Sequence, residues 1–287
     1  MKPREIIKHF KPYEWELSSE EISRRLGLRP DQILRFDMNT SPFTPIWLQD
    51  ELTRILQKLR VNEYPEASYS ELREALSNYI NRKPDEIMVT VGSDEALDII
   101  AKVFVDPLTK VLISTPTYDM YRIVTETLGG VVVGIDRKSD FTDDLDEILK
   151  AMDGETRLIF LCNPNNPTGN LTPKKIIVEL LEKSDCPVVV DEAYIEFCNQ
   201  TIVDLVEQYE NLMVIRTFSK ALSLAGARVG YVVANKKTIG LLNVMRPPNS
   251  LSVISLTLAK IVLNNIDRIK KDVEMVVKER ERVIQSL

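Results

Sequence analysis

Apolar residues follow two rhythms along this chain. Up to about residue 80 they are sparse and helically spaced. They predict a short helix over 20–26, with Ser18 or Ser19 as its cap, and a second helix over 47–59. A third is predicted over 70–79, where Leu72, Ala75, Leu76 and Tyr79 share a face. Proline-punctuated loops, 36–45 and 64–69, separate them. From residue 87 short apolar runs alternate with helical patterns. The runs lie at 87–91, 110–114, 131–135, 158–162, 188–191, 212–216 and 229–234, and the helices at 94–105, 118–128, 143–152 and 173–183. This alternation predicts an α/β fold built on a mostly parallel sheet covered by helices on both faces. In such sheets ligands sit beyond the carboxyl ends of the strands. Last, Ile266, Ile269, Val273, Val276, Val277, Val283, Ile284 and Leu287 predict one long amphipathic helix.

Composition narrows the chemistry. The chain of 287 residues suits one large domain, alone or with a satellite. A net charge of −6 gives no general drive toward nucleic acid or anionic membrane. The longest apolar runs fall far short of the roughly 20 residues of a membrane helix, and residues 1–10 lack the apolar stretch of a signal peptide. Cys162, Cys186 and Cys198 show no CxxC spacing and read as reduced thiols of a cytoplasmic protein. His9 is the sole histidine, which excludes Ser-His-Asp triads, Cys-His pairs and HExxH zinc sites; no metal site is expected. Proton transfer must fall to lysine, tyrosine or a carboxylate.

The predicted strand ends hold the unusual residues. Thr217-Phe218-Ser219-Lys220, with Arg228 soon after, places a lysine between hydroxyls in a turn joining two apolar strands, as an amine beside a bound phosphate would need. Gly92-Ser93-Asp94-Glu95 opens a helix, where free N–H groups suit a phosphate; Ser93 and Asp94 would equally serve as plain N-caps. Pro116-Thr117-Tyr118 projects an aromatic ring, either packed at the surface or stacked on a flat ligand. Turn chemistry accounts for the prolines and glycine of Asn163-Pro164-Asn165-Asn166-Pro167-Thr168-Gly169, but not for three asparagines, whose amides suit a polar ligand. Asp191 ends a buried strand and requires a cationic or protonated partner, in a salt bridge or in a pyridinium N–H.

In this order the series Gly92-Ser93-Asp94, Tyr118, Asn166-Pro167-Thr168-Gly169, Asp191-x-Ala193-Tyr194 and Ser219-Lys220 with Arg228 resembles the pyridoxal-phosphate aminotransferases of fold type I, over about residues 36–250. Within that superfamily Pro12-Tyr13, Asp37-x-Asn39-x-x-Pro42 and Tyr64-Pro65 look like histidinol-phosphate aminotransferase. So do Pro116-Thr117-Tyr118-x-x-Tyr121 and Arg246-Pro247-Pro248-Asn249. The family usually reads Asn-Glu-Asn-Pro where this chain has Asn39-Thr40-Ser41-Pro42. Threonine-phosphate decarboxylases and other small class I and II aminotransferases share much of the pattern.

The resemblance implies pyridoxal 5'-phosphate as cofactor and assigns roles. Lys220 would bind the cofactor aldehyde and then act as the base at the substrate Cα, with its pKa lowered by the cationic cofactor ring and Arg228. Asp191 would keep the pyridine nitrogen protonated, Tyr194 and Asn166 would hydrogen-bond the ring oxygen, and Tyr118 would stack on the ring. Arg228, the Thr217 and Ser219 hydroxyls and the Ser93 and Asp94 amides would hold the phosphate. Tyr13 and Asn39 would face the substrate, and Tyr64 would reach the phosphate of a neighbouring subunit in a two-fold homodimer.

The expected organisation is an arm and small-domain segment at 1–35, a large cofactor-binding domain at 36–250, and helices at 251–287 leading into a small domain. Family members continue beyond the equivalent of Leu287 and there supply the arginine that grips the substrate carboxylate. The expectation is therefore a truncated small domain, with an apolar stripe left open on the last helix. Three activities fit: transamination of histidinol phosphate with 2-oxoglutarate, another reaction at the same cofactor such as decarboxylation of an amino-acid phosphate, and cofactor binding without turnover.

Overall fold

A computed structural model describes residues 1–43, 45–198 and 200–287. Its seven-stranded sheet runs β1 (Ile87–Thr90), β7 (Gly230–Ala234), β6 (Leu212–Thr217), β5 (Val188–Asp191), β4 (Thr156–Cys162), β2 (Lys110–Thr115) and β3 (Val131–Asp136) from edge to edge. Each expected strand is present. Only β7 is reversed, antiparallel to both β6 and β1. Parallel neighbours need a long crossover, usually a helix. The β6–β7 connection has none: it is the Lys220 turn itself, so the chain returns beside β6 in the opposite sense.

Ten α-helices accompany the sheet among the described residues: α1 (Ser19–Leu26), α2 (Ile46–Leu56), α3 (Ser70–Ile80), α4 (Gly92–Phe104), α5 (Met120–Thr127), α6 (Leu145–Ala151), α7 (Lys174–Lys183), α8 (Lys236–Met245), α9 (Val253–Asn264) and α10 (Ile266–Ser286). Ser18 caps α1, its side chain accepting from the Glu21 N–H. Period-two alternation divides the core between the two faces of the sheet. Val188 and Val190 of β5 join Leu72 and Leu76 of α3 and Leu180 of α7; Val189 points the other way, into the layer of Leu97 and Ile100 of α4 and Tyr121 of α5. Each fully buried Leu, Ile or Val contributes roughly 2 kcal/mol of transfer free energy.

Two expectations need correction. α4 begins at Gly92, with Val91 at its N-cap and no side-chain cap, so Ser93 and Asp94 lie inside its first turn rather than capping it. The apolar stripe of α10 is only partly open: Ile269 is buried and Val273 packs on the core, while Val283, Ile284 and Leu287 are exposed. No described helix is long and apolar enough to cross a membrane.

Candidate active site

The parallel register sets Asp191 of β5 opposite Ile215 of β6, and the β6 strand then runs directly into the Lys220 turn. Phe218 anchors that turn. Its ring is fully buried edge-on against Tyr231, and its N–H donates to the Val229 carbonyl. Thr217 is a brace: its hydroxyl accepts from the Ser219 N–H at 3.1 Å and lies 3.4 Å from the Val229 carbonyl.

Asp191 is buried, with one oxygen accepting from the Tyr121 hydroxyl at 2.9 Å and the other from the Ala193 N–H at 3.0 Å. Desolvation outweighs both bonds and the attraction of Lys220, pushing the carboxyl up to about 6. Tyr121 is itself enclosed, stacked on Phe160 at 4.9 Å between centroids and edge-on to Tyr118. Its hold on Asp191 joins α5 to β5 across a long stretch of sequence. The only signal in the sequence is its place in the Tyr118-x-x-Tyr121 motif.

Lys220 is partly buried. Its Nζ donates to the Met38 carbonyl at 3.1 Å and lies 5.4 Å from the centre of the Tyr194 ring. Burial lowers its pKa most; Asp191 and Asp94 oppose this, and Arg228 adds to it. The Tyr194 hydroxyl accepts from Asn39 Nδ2 at 3.3 Å, and burial pushes it up to about 12. The loop bearing Met38 and Asn39, the latter in the left-handed region at φ 50°, therefore lies over the lysine.

The other end of the site is a cradle around the N-terminus of α4. Arg228 sends Nη1 to Ser219 Oγ at 3.4 Å and Nη2 to the Asp94 carboxylate at 2.8 Å, and the Tyr118 hydroxyl donates to the same carboxylate at 3.0 Å. Two glycines clear the space. A Cβ on Gly92, at φ +69°, would come within 2.8 Å of Arg228 Nη2, and one on Gly230 within 2.4 Å of the Gly92 carbonyl carbon. The helix N–H groups and Arg228 can thus approach one anion together, provided Asp94 yields the guanidinium.

The three asparagines separate. Asn163 Oδ1 accepts from the Thr172 N–H, and Asn165 is bound on three sides by Thr117, Thr168 and the Pro116 carbonyl. Asn163 holds its own loop together, and Asn165 ties that loop to the turn after β2. Asn166 lines an open cleft of about 760 Å³ with Asn39, Tyr194, Ala221 and, from α10, Val276 and Arg280. Arg280, which also donates to the Phe197 carbonyl at 3.3 Å, is a cation on the cleft wall that the sequence did not single out. Tyr13 donates to Glu16 at 2.9 Å, and burial, Glu16 and the nearby Asp94 push its pKa up to about 12. The N-terminal arm reaches this position by docking on α5, where Arg122 donates to the Lys11 carbonyl. Tyr64 is 87% exposed, outside this grouping.

These residues fit pyridoxal 5'-phosphate. A desolvated carboxylate awaits a protonated ring nitrogen, a lysine of lowered pKa stands at the neighbouring strand end, and a cleared helix N-terminus with an arginine can take the phosphate. Among the described residues no cluster of His, Cys, Asp and Glu could hold a metal ion.

The profile of the family "Aminotransferase class I and II" matches residues 32–287. A histidinol-phosphate aminotransferase of Ruminiclostridium cellulolyticum is 39% identical over 260 residues, covering 88% of this chain and 73% of that protein. One from Thermoanaerobacter pseudethanolicus is 37% identical over 286 residues, covering 99% and 78%. The crystal structure of histidinol-phosphate aminotransferase from Sinorhizobium meliloti in complex with pyridoxal-5'-phosphate superposes with a TM-score of 0.87 at 25% identity, covering 97% of this chain and 75% of that one.

Proposed function

The chain belongs to the class I and II aminotransferases, and from that premise we propose that it moves the amino group of histidinol phosphate to 2-oxoglutarate, giving imidazole-acetol phosphate and glutamate. The similarity to histidinol-phosphate aminotransferases over nearly the whole chain supports the substrate. The observation that carries the chemistry is the pairing of buried Asp191 with a partly buried, pKa-lowered Lys220 at neighbouring strand ends.

Pyridoxal 5'-phosphate, when bound, supplies the electron sink that makes the substrate Cα acidic. Asp191, oriented by Tyr121 and the Ala193 N–H, would hold the proton on the ring nitrogen. Lys220 would first bind the aldehyde carbon. With its amine free, its lowered pKa would suit it to take a proton from the substrate Cα. Tyr194 and Asn166 would donate to the ring oxygen, Tyr118 would cover the ring, and Arg228, Ser219 and the Ser93 and Asp94 N–H groups would take the phosphate. Thr217 would contribute by holding the Ser219 backbone. Tyr13 would close the site from the arm, and Asn39 from the loop that carries it. The exposure of Tyr64 suits service to a partner's site, and we assign a homodimer. We also divide the chain at 35 and 250, the middle part being the cofactor-binding domain.

A half-reaction panel tests the reading. The cofactor-loaded chain is mixed with histidinol phosphate, threonine phosphate, glutamate and aromatic amino acids; conversion to the pyridoxamine form is followed by absorbance and carbon dioxide is assayed. Histidinol phosphate should convert it fastest, without carbon dioxide. Carbon dioxide release from an amino-acid phosphate would replace this reading with decarboxylation.

A further inference from the structure

A second ionisable cluster joins the ends of β5 and β6, on the sheet face opposite Asp191 and Tyr121. Arg216 directs Nε and Nη2 to one oxygen of Glu192 at 2.9 and 2.7 Å, and Nη2 also to Thr201 Oγ1 at 2.7 Å. The other Glu192 oxygen accepts from the Ile202 N–H at 2.8 Å and lies 3.0 Å from the Thr201 hydroxyl. The side chains of Arg216 and Glu192 are 7% and 0% exposed. A third member, Glu196, lies on the 3-10 turn Ile195–Phe197 and accepts from the Tyr79 hydroxyl at 3.3 Å. Tyr79 of α3, Arg216 of β6, Tyr231 of β7, Glu192 and Cys198 all face it.

Stability alone does not explain such a cluster, because an apolar set of similar volume is often as stable as a buried ion pair. Its place in the chain does explain it. Glu192 follows Asp191 directly, Tyr194 stands just beyond, and Arg216 is the penultimate residue of the strand that carries Lys220. A planar fork bound to one carboxylate fixes direction as well as distance. We propose that Glu192 and Arg216 are positioning residues: their clamp sets the separation of Lys220 from Asp191, and Glu196 with Tyr79 fills the remaining space around the guanidinium. Burial pushes the Glu196 carboxyl up to about 7, opposed by Arg216, so this member serves in its neutral form as well as its charged one.

The proposal rests on the cofactor assignment but not on the amino donor, and its test uses pyridoxal phosphate alone. Three quantities are read for each variant: thermal midpoint of the apo-protein, cofactor affinity, and the pH midpoint of the visible band formed with Lys220. The paired change Glu192→Gln with Arg216→Met removes both buried charges, so it leaves no unpaired ion to unfold the chain. It should keep the thermal midpoint near wild type, weaken cofactor binding at least about tenfold and move the pH midpoint. Glu196→Gln should leave affinity within about twofold and the pH midpoint unmoved. Arg216→Lys keeps the charge and loses the fork; it should show the same two losses in smaller measure, and it decides the matter if the paired variant does not fold. Wild-type affinity and pH midpoint in the paired variant, or in Arg216→Lys in that event, would overturn the proposal. Absence of any visible band in the wild-type chain would instead overturn the cofactor assignment.

Discussion

Asp191 is held in a state that the chain without cofactor would do better to avoid. Its carboxyl, displaced from 3.8 to about 6 by burial, represents roughly 3 kcal/mol against the charged form. The folded chain binds more protons than the unfolded one between about pH 4 and 6, so stability falls as pH rises through that window and the loss persists above it. Asp191→Asn should therefore raise the thermal midpoint of the apo-protein at neutral pH while lowering turnover of the loaded enzyme more than about 100-fold. Calorimetry and steady-state rates on the same preparations check this, and a lowered apo midpoint would contradict it. Tyr121→Phe removes a bond that favours the ionised carboxylate. Cofactor affinity, measured by fluorescence titration, should fall, by about 1 kcal/mol or somewhat more for one hydrogen bond to a charged group. Asp191 stood out in the sequence because a buried strand end is an expensive place for a carboxylate without a partner, and Lys220 because a lysine between hydroxyls in a turn joining apolar strands is an unusual placement. The Tyr121 contact did not, because it depends on how α5 lies against β5. The resemblance singled out Asn166, but what the other two asparagines do shows only in the folded chain: Asn163 accepts from the Thr172 N–H, and Asn165 ties its loop to Pro116.

At the scale of elements, short continuous apolar runs rich in β-branched residues announced every strand, since sequences for two-sided burial look alike wherever they occur. The reversal of β7 was hidden, because apolar runs carry no direction. α8 was hidden for another reason: Gly240 lies in its interior, and only Thr238, Ile239 and Leu242 are buried. The close pairing of β7 with the start of α4 gives a sharp test. Gly230→Ala places a methyl 2.4 Å from backbone of Gly92, so strand and helix must part. That overpacking should cost about 1–3 kcal/mol or more in stability and spread the phosphate cradle, with a matching loss of cofactor affinity. A variant of wild-type stability and affinity would show that the cradle is not built this way. On the other face, Leu76→Ala should cost about 2–5 kcal/mol by chemical denaturation and leave the affinity of the surviving folded protein unchanged.

For the whole molecule, the arm and the loop around Met38 bring Tyr13, Glu16, Met38 and Asn39 over a site whose floor is the sheet. The outward faces of Trp15, Phe36 and Tyr64 leave large aromatic surface exposed. If these faces serve the proposed homodimer, sedimentation at micromolar concentration should show a dimer, and Tyr64→Phe should weaken cofactor binding without altering the apo thermal midpoint. A monomer that binds cofactor at full affinity would remove Tyr64 from the account. The central claim is that Lys220 anchors pyridoxal phosphate in a chain that then transfers an amino group. Its most direct test is absorbance during titration of the cofactor into wild type and Lys220→Ala, followed by histidinol phosphate and then 2-oxoglutarate. The account predicts a one-to-one visible band in wild type alone, lost on adding the amine and restored by the oxo acid. A band of equal strength in Lys220→Ala, or a wild-type band untouched by every amino donor, would contradict it.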